Sequence, residues 1–201
     1  MKGKVCIMEF MKSIVTIIAM LIALIGYIPY IKDCIKGTTK PHVITWFTWA
    51  LVSFLAFGIQ FFNQGGFGSF INLFMGIICT VIFILGLRNG TKDITKTDWI
   101  AFILAIIAIG LWLIVKQPLL SIILVVFIDI MSFLPTILKG WKKPYTETLI
   151  TFAFSGIKNG LSIYALSSYS LVIVMYPAYA LIANVFFVVM LLMRRKVIKK
   201  E

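Results

Sequence analysis

Two ionisable side chains interrupt long apolar stretches of this 201-residue chain. Asp129 and Lys158 lie at similar distances before and after one basic turn, which predicts similar depths in neighbouring helices. An unpaired charge in hydrocarbon costs at least ~2.5 kcal/mol, so such groups usually face a cavity or each other. Two interpretations follow: a structural ion pair that holds two helices together, or a functional site. In the functional interpretation the two residues bind a polar or charged substrate group, or Asp129 takes up a proton during transport.

Further polar residues recur at helical spacing near these two. Thr151, Ser155, Lys158 and Ser162 form one stripe, with Asn159 beside it. An earlier segment carries the comparable run Thr45, Trp49, Ser53 and Gln60. Back-bonding to the preceding turn explains isolated Ser or Thr residues, and helix packing also favours small polar residues. For whole stripes we expect a cavity.

Two asparagines, Asn72 and Asn184, occupy comparable depths in two later apolar segments. Asparagine both donates and accepts, which suits hydroxyl and amide groups of a ligand, although interhelical hydrogen bonding is the alternative. Tyr176 and Tyr179 flank Pro177 and are expected to line the outer half of a pathway. Pro29, Pro135 and Pro177 each remove a backbone donor and are expected to kink their helices.

The elements that must position these residues are transmembrane helices. Hydrophobic residues make up 61% of the chain, charged residues only 13%, and the mean hydropathy is +1.05. Repeated apolar runs of bilayer-spanning length are typical of membrane proteins. Seven spans are predicted, at 13–31, 43–62, 68–87, 98–115, 119–138, 147–165 and 171–193.

Lysine and arginine residues predict the orientation of these spans, because basic residues concentrate in cytoplasmic loops. The connections after spans one, three and five, with the C-terminal tail, hold Lys32, Lys36, Lys40, Arg88, Lys92, Lys96, Lys139, Lys142, Lys143, Arg194, Arg195, Lys196, Lys199 and Lys200. The opposite side holds Lys2, Lys4, Lys12 and Lys116. We therefore expect a multi-pass plasma-membrane protein with the N-terminus outside and the C-terminus cytoplasmic.

Other classes fit the sequence poorly. The net charge of +12 lies at span ends rather than on one basic face, so nucleic acid is not expected as a partner. Three scattered cysteines and a single histidine predict neither a disulfide framework nor a metal site. With no phosphate loop or Ser/His/Asp set, neither an enzyme nor a cofactor is expected. The N-terminal apolar stretch is interpreted as the first span rather than a signal peptide, and Met8 or Met11 is an alternative start.

Two segments of the chain resemble each other. GYIPYIKDCIKGTTKPHVITWFTWA and MSFLPTILKGWKKPYTETLITFAFS share a span-end proline, a Lys-Gly pair and a Lys-Pro pair. This predicts a three-helix repeat at 13–87, a linker helix at 98–115, a second repeat at 119–193 and a basic cytoplasmic tail at 194–201. Three spans reverse the side of the chain, so the linker is needed to keep both repeats parallel.

This all-α arrangement of seven transmembrane helices resembles the SWEET and PQ-loop superfamily of transporters. The family's Pro-Gln pair reads Pro29-Tyr30 and Pro135-Thr136 here, so the glutamine is lost. The resemblance implies that Asn72, Asn184, Trp49 and Phe152 face a central substrate cavity, and that the prolines act as hinges. The TWFTW segment is more weakly similar to bacterial nicotinamide-riboside transporters.

The expected function is alternating-access transport of a small polar solute such as a sugar, vitamin or other metabolite. Substrate contacts are expected from Asn72, Asn184, Trp49, Phe152, Asn159, Asp129, Lys158 and Tyr176. The chain would be a facilitator or an ion-coupled carrier, with proton coupling and a homo-oligomer both left open. The alternatives are a receptor or sorting protein of the same architecture, and an accessory subunit held by helix packing.

Overall fold

The computed structural model describes residues 2–37, 41–90 and 96–198. Within these ranges the chain forms seven α-helices, and no β-strand is present among the described residues. The helices are α1 (Lys2–Lys36), α2 (Val43–Phe62), α3 (Phe70–Asn89), α4 (Lys96–Leu113), α5 (Pro118–Lys142), α6 (Leu149–Ala165) and α7 (Leu171–Val197). Short 3₁₀ turns at Gly66–Ser69 and Pro144–Thr146 precede α3 and α6.

The predicted spans correspond one to one with these helices, and α2 has the bounds expected from the sequence. Helix α1 is longer than expected and already includes residues 2–12, which are rich in good helix formers such as Lys, Met and Glu. Helix α7 likewise continues through its basic end to Val197. Of the basic residues used to predict orientation, Lys40, Lys92, Lys199 and Lys200 lie outside the described residues.

Helix α5 continues past residue 138, the expected end of the fifth span, through the second Lys-Gly pair to Lys142. Gly37 has a left-handed φ of 74° and follows the end of α1, as expected for a helix-terminating glycine. Gly140 instead lies inside α5, where a Cβ would meet the Phe187 ring at 2.9 Å. Its small size allows α5 and α7 to approach closely, so the two matched glycines have different structural roles.

Five helices are long and apolar enough to cross a membrane, judged by length and composition: α1, α2, α3, α5 and α7. Helix α4 contributes a shorter apolar segment, Phe102–Leu113, and α6 has 17 residues with a polar face. Large exposed apolar side chains occur along the outer faces of all seven helices. Such extensive apolar surface is unusual for a soluble monomer and is typical of membrane contact.

The helices pack in a closed order around the centre of the protein. Helix α3 contacts both α1 and α2, and α7 contacts both α5 and α6. The two sets meet where α1 packs on α6 and where α2 packs on α5. Helix α4 lies on the outside against α2 and α5, with Ala105 and Ala108 fully buried in that contact. This order leaves a space between the two sets of three helices.

Candidate functional site

A cavity of about 570 Å³ lies between the two sets of helices. Helices α1, α2, α3, α5, α6 and α7 all contribute lining residues. All eight residues expected to contact a substrate line it: Asn72, Asn184, Trp49, Phe152, Asn159, Asp129, Lys158 and Tyr176. Residues separated by more than a hundred positions in the chain are thus brought to one site.

The cavity opens at the end where α1 and α5 finish and α2 and α6 begin. Asp33, His42 and Thr148 line this mouth, and Asp33 and Thr148 are exposed. His42 also caps α2, because its Nδ1 accepts a hydrogen bond from the Thr45 backbone N–H. This is the end that the basic loops predict to be cytoplasmic.

Aromatic rings form the middle of the cavity wall. Trp46 packs edge-on against Trp49 with ring centroids 5.1 Å apart, and its Nε1 donates to the Tyr30 hydroxyl at 3.3 Å. The indole N–H of Trp49 is buried and has no hydrogen-bond partner among the described residues. Across from this group, Phe152 packs against Phe187 at 4.4 Å between centroids. Flat aromatic surfaces are therefore available to a ligand.

Asp129 and Lys158 lie close enough to interact electrostatically, but they do not make a direct ion pair. The Asp129 carboxylate accepts a hydrogen bond from the Tyr179 hydroxyl at 2.8 Å. Lys158 is only 5% exposed, and no protein partner for its ammonium is found within the described part of the chain. The direct structural pair considered from the sequence is absent, which leaves two separate charged groups in one cavity.

The two asparagines both use their amide nitrogens within the protein. Asn72 Nδ2 donates to Gln60 Oε1 at 2.7 Å, and Asn184 Nδ2 donates to the Ala180 carbonyl of its own helix at 2.7 Å. A backbone carbonyl can only accept, so the orientation of the Asn184 amide follows from its partner. Their Oδ1 atoms remain as acceptors beside the cavity.

The polar stripe of α6 faces inward as expected. Thr151, Ser155 and Lys158 line the cavity, whereas Ser162 is buried one turn beyond it. Thr151 Oγ1 donates to the Gly26 carbonyl of α1 at 3.3 Å. The Ser162 hydroxyl is buried, with no partner in the part of the chain that the structure describes. The polar face of α6 therefore both lines the cavity and forms hydrogen bonds to a neighbouring helix.

The three prolines lie inside helices, each on the first or third helix of its set. Pro29 is in α1, Pro135 in α5 and Pro177 in α7. Pro177 is buried close to the end of the cavity opposite the mouth. Their role as hinges stays a prediction.

The opposite end of the cavity is closed by loop contacts and buried polar bonds. The Ser167 N–H donates to the Gly65 carbonyl at 3.1 Å, which joins the α2–α3 loop to the α6–α7 loop. Gly66 has a φ of 67° and lies against the Ser167 side chain, where a Cβ would collide. Lys12, 7% exposed, donates from Nζ to the Leu166 carbonyl at 2.7 Å.

Three residues at the cavity or its closed end were not expected there: Lys12, Tyr27 and Trp46. Tyr27 lines the cavity, and its hydroxyl lies 3.5 Å from Ser155 Oγ. Lys12 was expected to be a charged residue that flanks the first span. Trp46 is 6% exposed and packs inside the protein rather than facing lipid. Trp46, Trp49 and Ser53 are spaced to lie on one helical face, and this spacing indicates that Trp46 faces the cavity with the other two. No local pattern pairs Lys12 with a carbonyl 154 residues away.

Together these features define an all-helical protein with several membrane-span-like helices around a polar and aromatic cavity open at one end. Comparison with family models, curated proteins and solved structures found no match.

Proposed function

We propose that this chain is a multi-pass membrane transporter that moves a small polar solute by alternating access. The observation that carries the proposal is the central cavity, because it gathers charged, amide and aromatic groups. Among the described lining residues, the exposed ones, Asp33 and Thr148, lie at one end. A few precisely placed polar groups on an otherwise apolar wall are typical of small-molecule sites.

The packing order supports the three-plus-one-plus-three organisation. Helix α3 contacts α1 and α2 in the first set, just as α7 contacts α5 and α6 in the second set. Between the sets, the first helix of each packs on the second helix of the other: α1 on α6, and α5 on α2. Two parallel repeats about an axis along the membrane normal would produce this pattern, as in SWEETs. Helix α4 is then the linker, and we propose membership of the SWEET and PQ-loop superfamily on this basis.

The cavity mouth lies at the end that the basic loops assign to the cytoplasm. In the proposed orientation the structure is therefore inward-open, and the Lys12 and Gln60 bonds close the outer end. Transport requires the outer end to separate and the mouth to close in turn. Kinks at Pro29, Pro135 and Pro177 are suitable places for the helices to bend.

Lys158 and Asp129 make the site suitable for a solute that carries charged or polar groups. Lys158 is suited to an acidic group of the solute, whereas Asp129 and the two asparagine Oδ1 atoms are suited to its hydrogen-bond donors. The aromatic wall is suited to an apolar face of the same molecule. A proton taken up by Asp129 would couple transport to a pH gradient.

The test is an uptake screen with purified protein in liposomes, using radiolabelled sugars, amino acids, nucleosides and vitamins. We expect at least one class to enter above the level of protein-free liposomes. Lys158→Met should abolish that uptake, whereas Lys196→Met, an exposed lysine of the basic end of α7, should leave it unchanged. No uptake of any class by folded protein refutes the transport proposal, and binding without uptake favours a receptor or sorting protein.

A further inference from the structure

Gln60 is a fully buried glutamine that connects the candidate site to α7. Its Oε1 accepts a hydrogen bond from Asn72 Nδ2 at 2.7 Å. Its Nε2 donates to the backbone carbonyl of Ile173 at 2.7 Å. The side chain thus bridges α3, α2 and α7 at the closed end of the cavity.

The Ile173 carbonyl is available because of Pro177. In an α-helix this carbonyl would accept from the N–H four residues later, which is the position of Pro177 in α7. Proline has no N–H and its ring displaces that carbonyl, so a buried acceptor is left without its helical partner. Gln60 supplies the missing donor from another helix.

This bond also determines the orientation of Asn72. The Ile173 carbonyl can only accept, so the NH₂ group of Gln60 must face it and Oε1 must point to Asn72. The NH₂ group of Asn72 must then face Gln60. The Asn72 Oδ1 remains as the polar atom for the cavity that the residue lines.

We propose that Gln60 is a positioning residue that presents the Asn72 carbonyl oxygen to the solute and ties the occupied site to the bend at Pro177. The proposal rests on the proposed function in taking Asn72 as a solute contact. Gln60 itself lies behind the cavity and does not touch the solute. A solute that pulls on Asn72 weakens the bridge, and α7 is then released to bend where its helical bond is already missing.

The test is a double-mutant cycle between Gln60 and Pro177, read by thermal unfolding in detergent. Gln60→Met keeps the length of the side chain but loses both bonds, and we expect a melting temperature lower by roughly 5–10 °C. Pro177→Ala restores the N–H that reaches the Ile173 carbonyl. In that background Gln60→Met should lower the melting temperature by only about half as much.

A second readout distinguishes positioning from simple packing. A cysteine at Ser162, buried near the closed end, is labelled with an impermeant maleimide added from that side, after Cys6, Cys34 and Cys79 are replaced by serine. Gln60→Met should accelerate labelling about fivefold or more, since each lost bond favours opening. Pro177→Ala should reverse part of this effect. Gln117→Met, an exposed glutamine, is the matched control and should change neither readout.

Equal effects of Gln60→Met in both backgrounds, or unchanged labelling, overturn the proposal. If Gln60→Met does not fold, the double variant with Pro177→Ala must fold for the proposal to stand. None of these measurements needs a transported solute, so failure of the uptake screen and failure of the cycle are distinguishable.

Discussion

Lys12→Met gives the clearest prediction for the closed end of the cavity. The Lys12 ammonium donates to the carbonyl of Leu166, the C-cap residue of α6, and lies 5.4 Å from the Tyr169 ring centroid. A charged hydrogen bond contributes ~1.5–3 kcal/mol, and a cation at a helix C-terminus adds ~0.3–1 kcal/mol. Methionine keeps the apolar stem and loses both contributions.

The desolvation of a buried ammonium offsets part of that stabilisation, because the ion gives up water when the end closes. We therefore expect Lys12→Met to shift the closed-to-open equilibrium by about 1–2 kcal/mol, a factor of about 5–30. The assay is maleimide labelling of the Ser162→Cys reporter from the closed side. Lys116→Met removes an exposed lysine from the same predicted side and serves as the control.

Labelling of the Lys12→Met variant at the control rate would refute this reasoning. It would mean that the Lys12–Leu166 bond contributes nothing to closure, and that the loop contacts at Gly65 and Ser167 are sufficient.

Three further predictions concern the cavity and its packing. Combining Asp129→Asn with Lys158→Met should not restore uptake lost by either change, because the two groups make no direct ion pair. Tyr179→Phe should lower stability by ~1–3 kcal/mol in thermal unfolding, since it removes the hydrogen bond to the partly buried Asp129 carboxylate. Gly58→Val should lower stability by ~1–3 kcal/mol or more in the same assay, because its Cβ would collide with the Trp112 ring.

Each of these has a contradicting outcome. Full uptake by the Asp129/Lys158 double variant would restore the structural-pair interpretation. An unchanged melting temperature for Tyr179→Phe would mean that water or another group replaces the hydroxyl. Tolerance of Gly58→Val would mean that the α2–α4 contact is looser than the Trp112 position indicates.

Helix number and the inward faces of the helices could be predicted from the sequence. Long charge-free runs correspond to helices because each must satisfy its own backbone, and the α2 bounds agreed to the residue. Polar side chains at three- and four-residue spacing on α6 identified its inward face, because residues at this spacing lie on the same side of a helix. For this reason all eight expected substrate contacts line one cavity.

The hydrogen-bond partners within the site could not be predicted. Asn72 and Asn184 look equivalent in sequence, yet one bonds to Gln60 and the other to its own helix. Gln60 also bonds to the Ile173 carbonyl in a third helix, and no local pattern connects that helix to Gln60. Gly140 is a comparable case. In the sequence, a glycine after a lysine suggests the end of a helix, whereas in the structure Gly140 is needed inside α5 because the Phe187 ring of α7 packs against it.

Alternating access requires that the cavity be reached from each side of the membrane in turn. A single cysteine at Ser155, which lines the cavity, tests it by labelling with an impermeant maleimide from each side of sealed vesicles. Control cysteines at the exposed residues Thr148 and Ser170, at opposite ends, verify that the reagent reaches each side. We expect labelling of Ser155→Cys from the mouth side and, more slowly, from the closed side. Labelling from the mouth side alone, with both controls reactive, would contradict it.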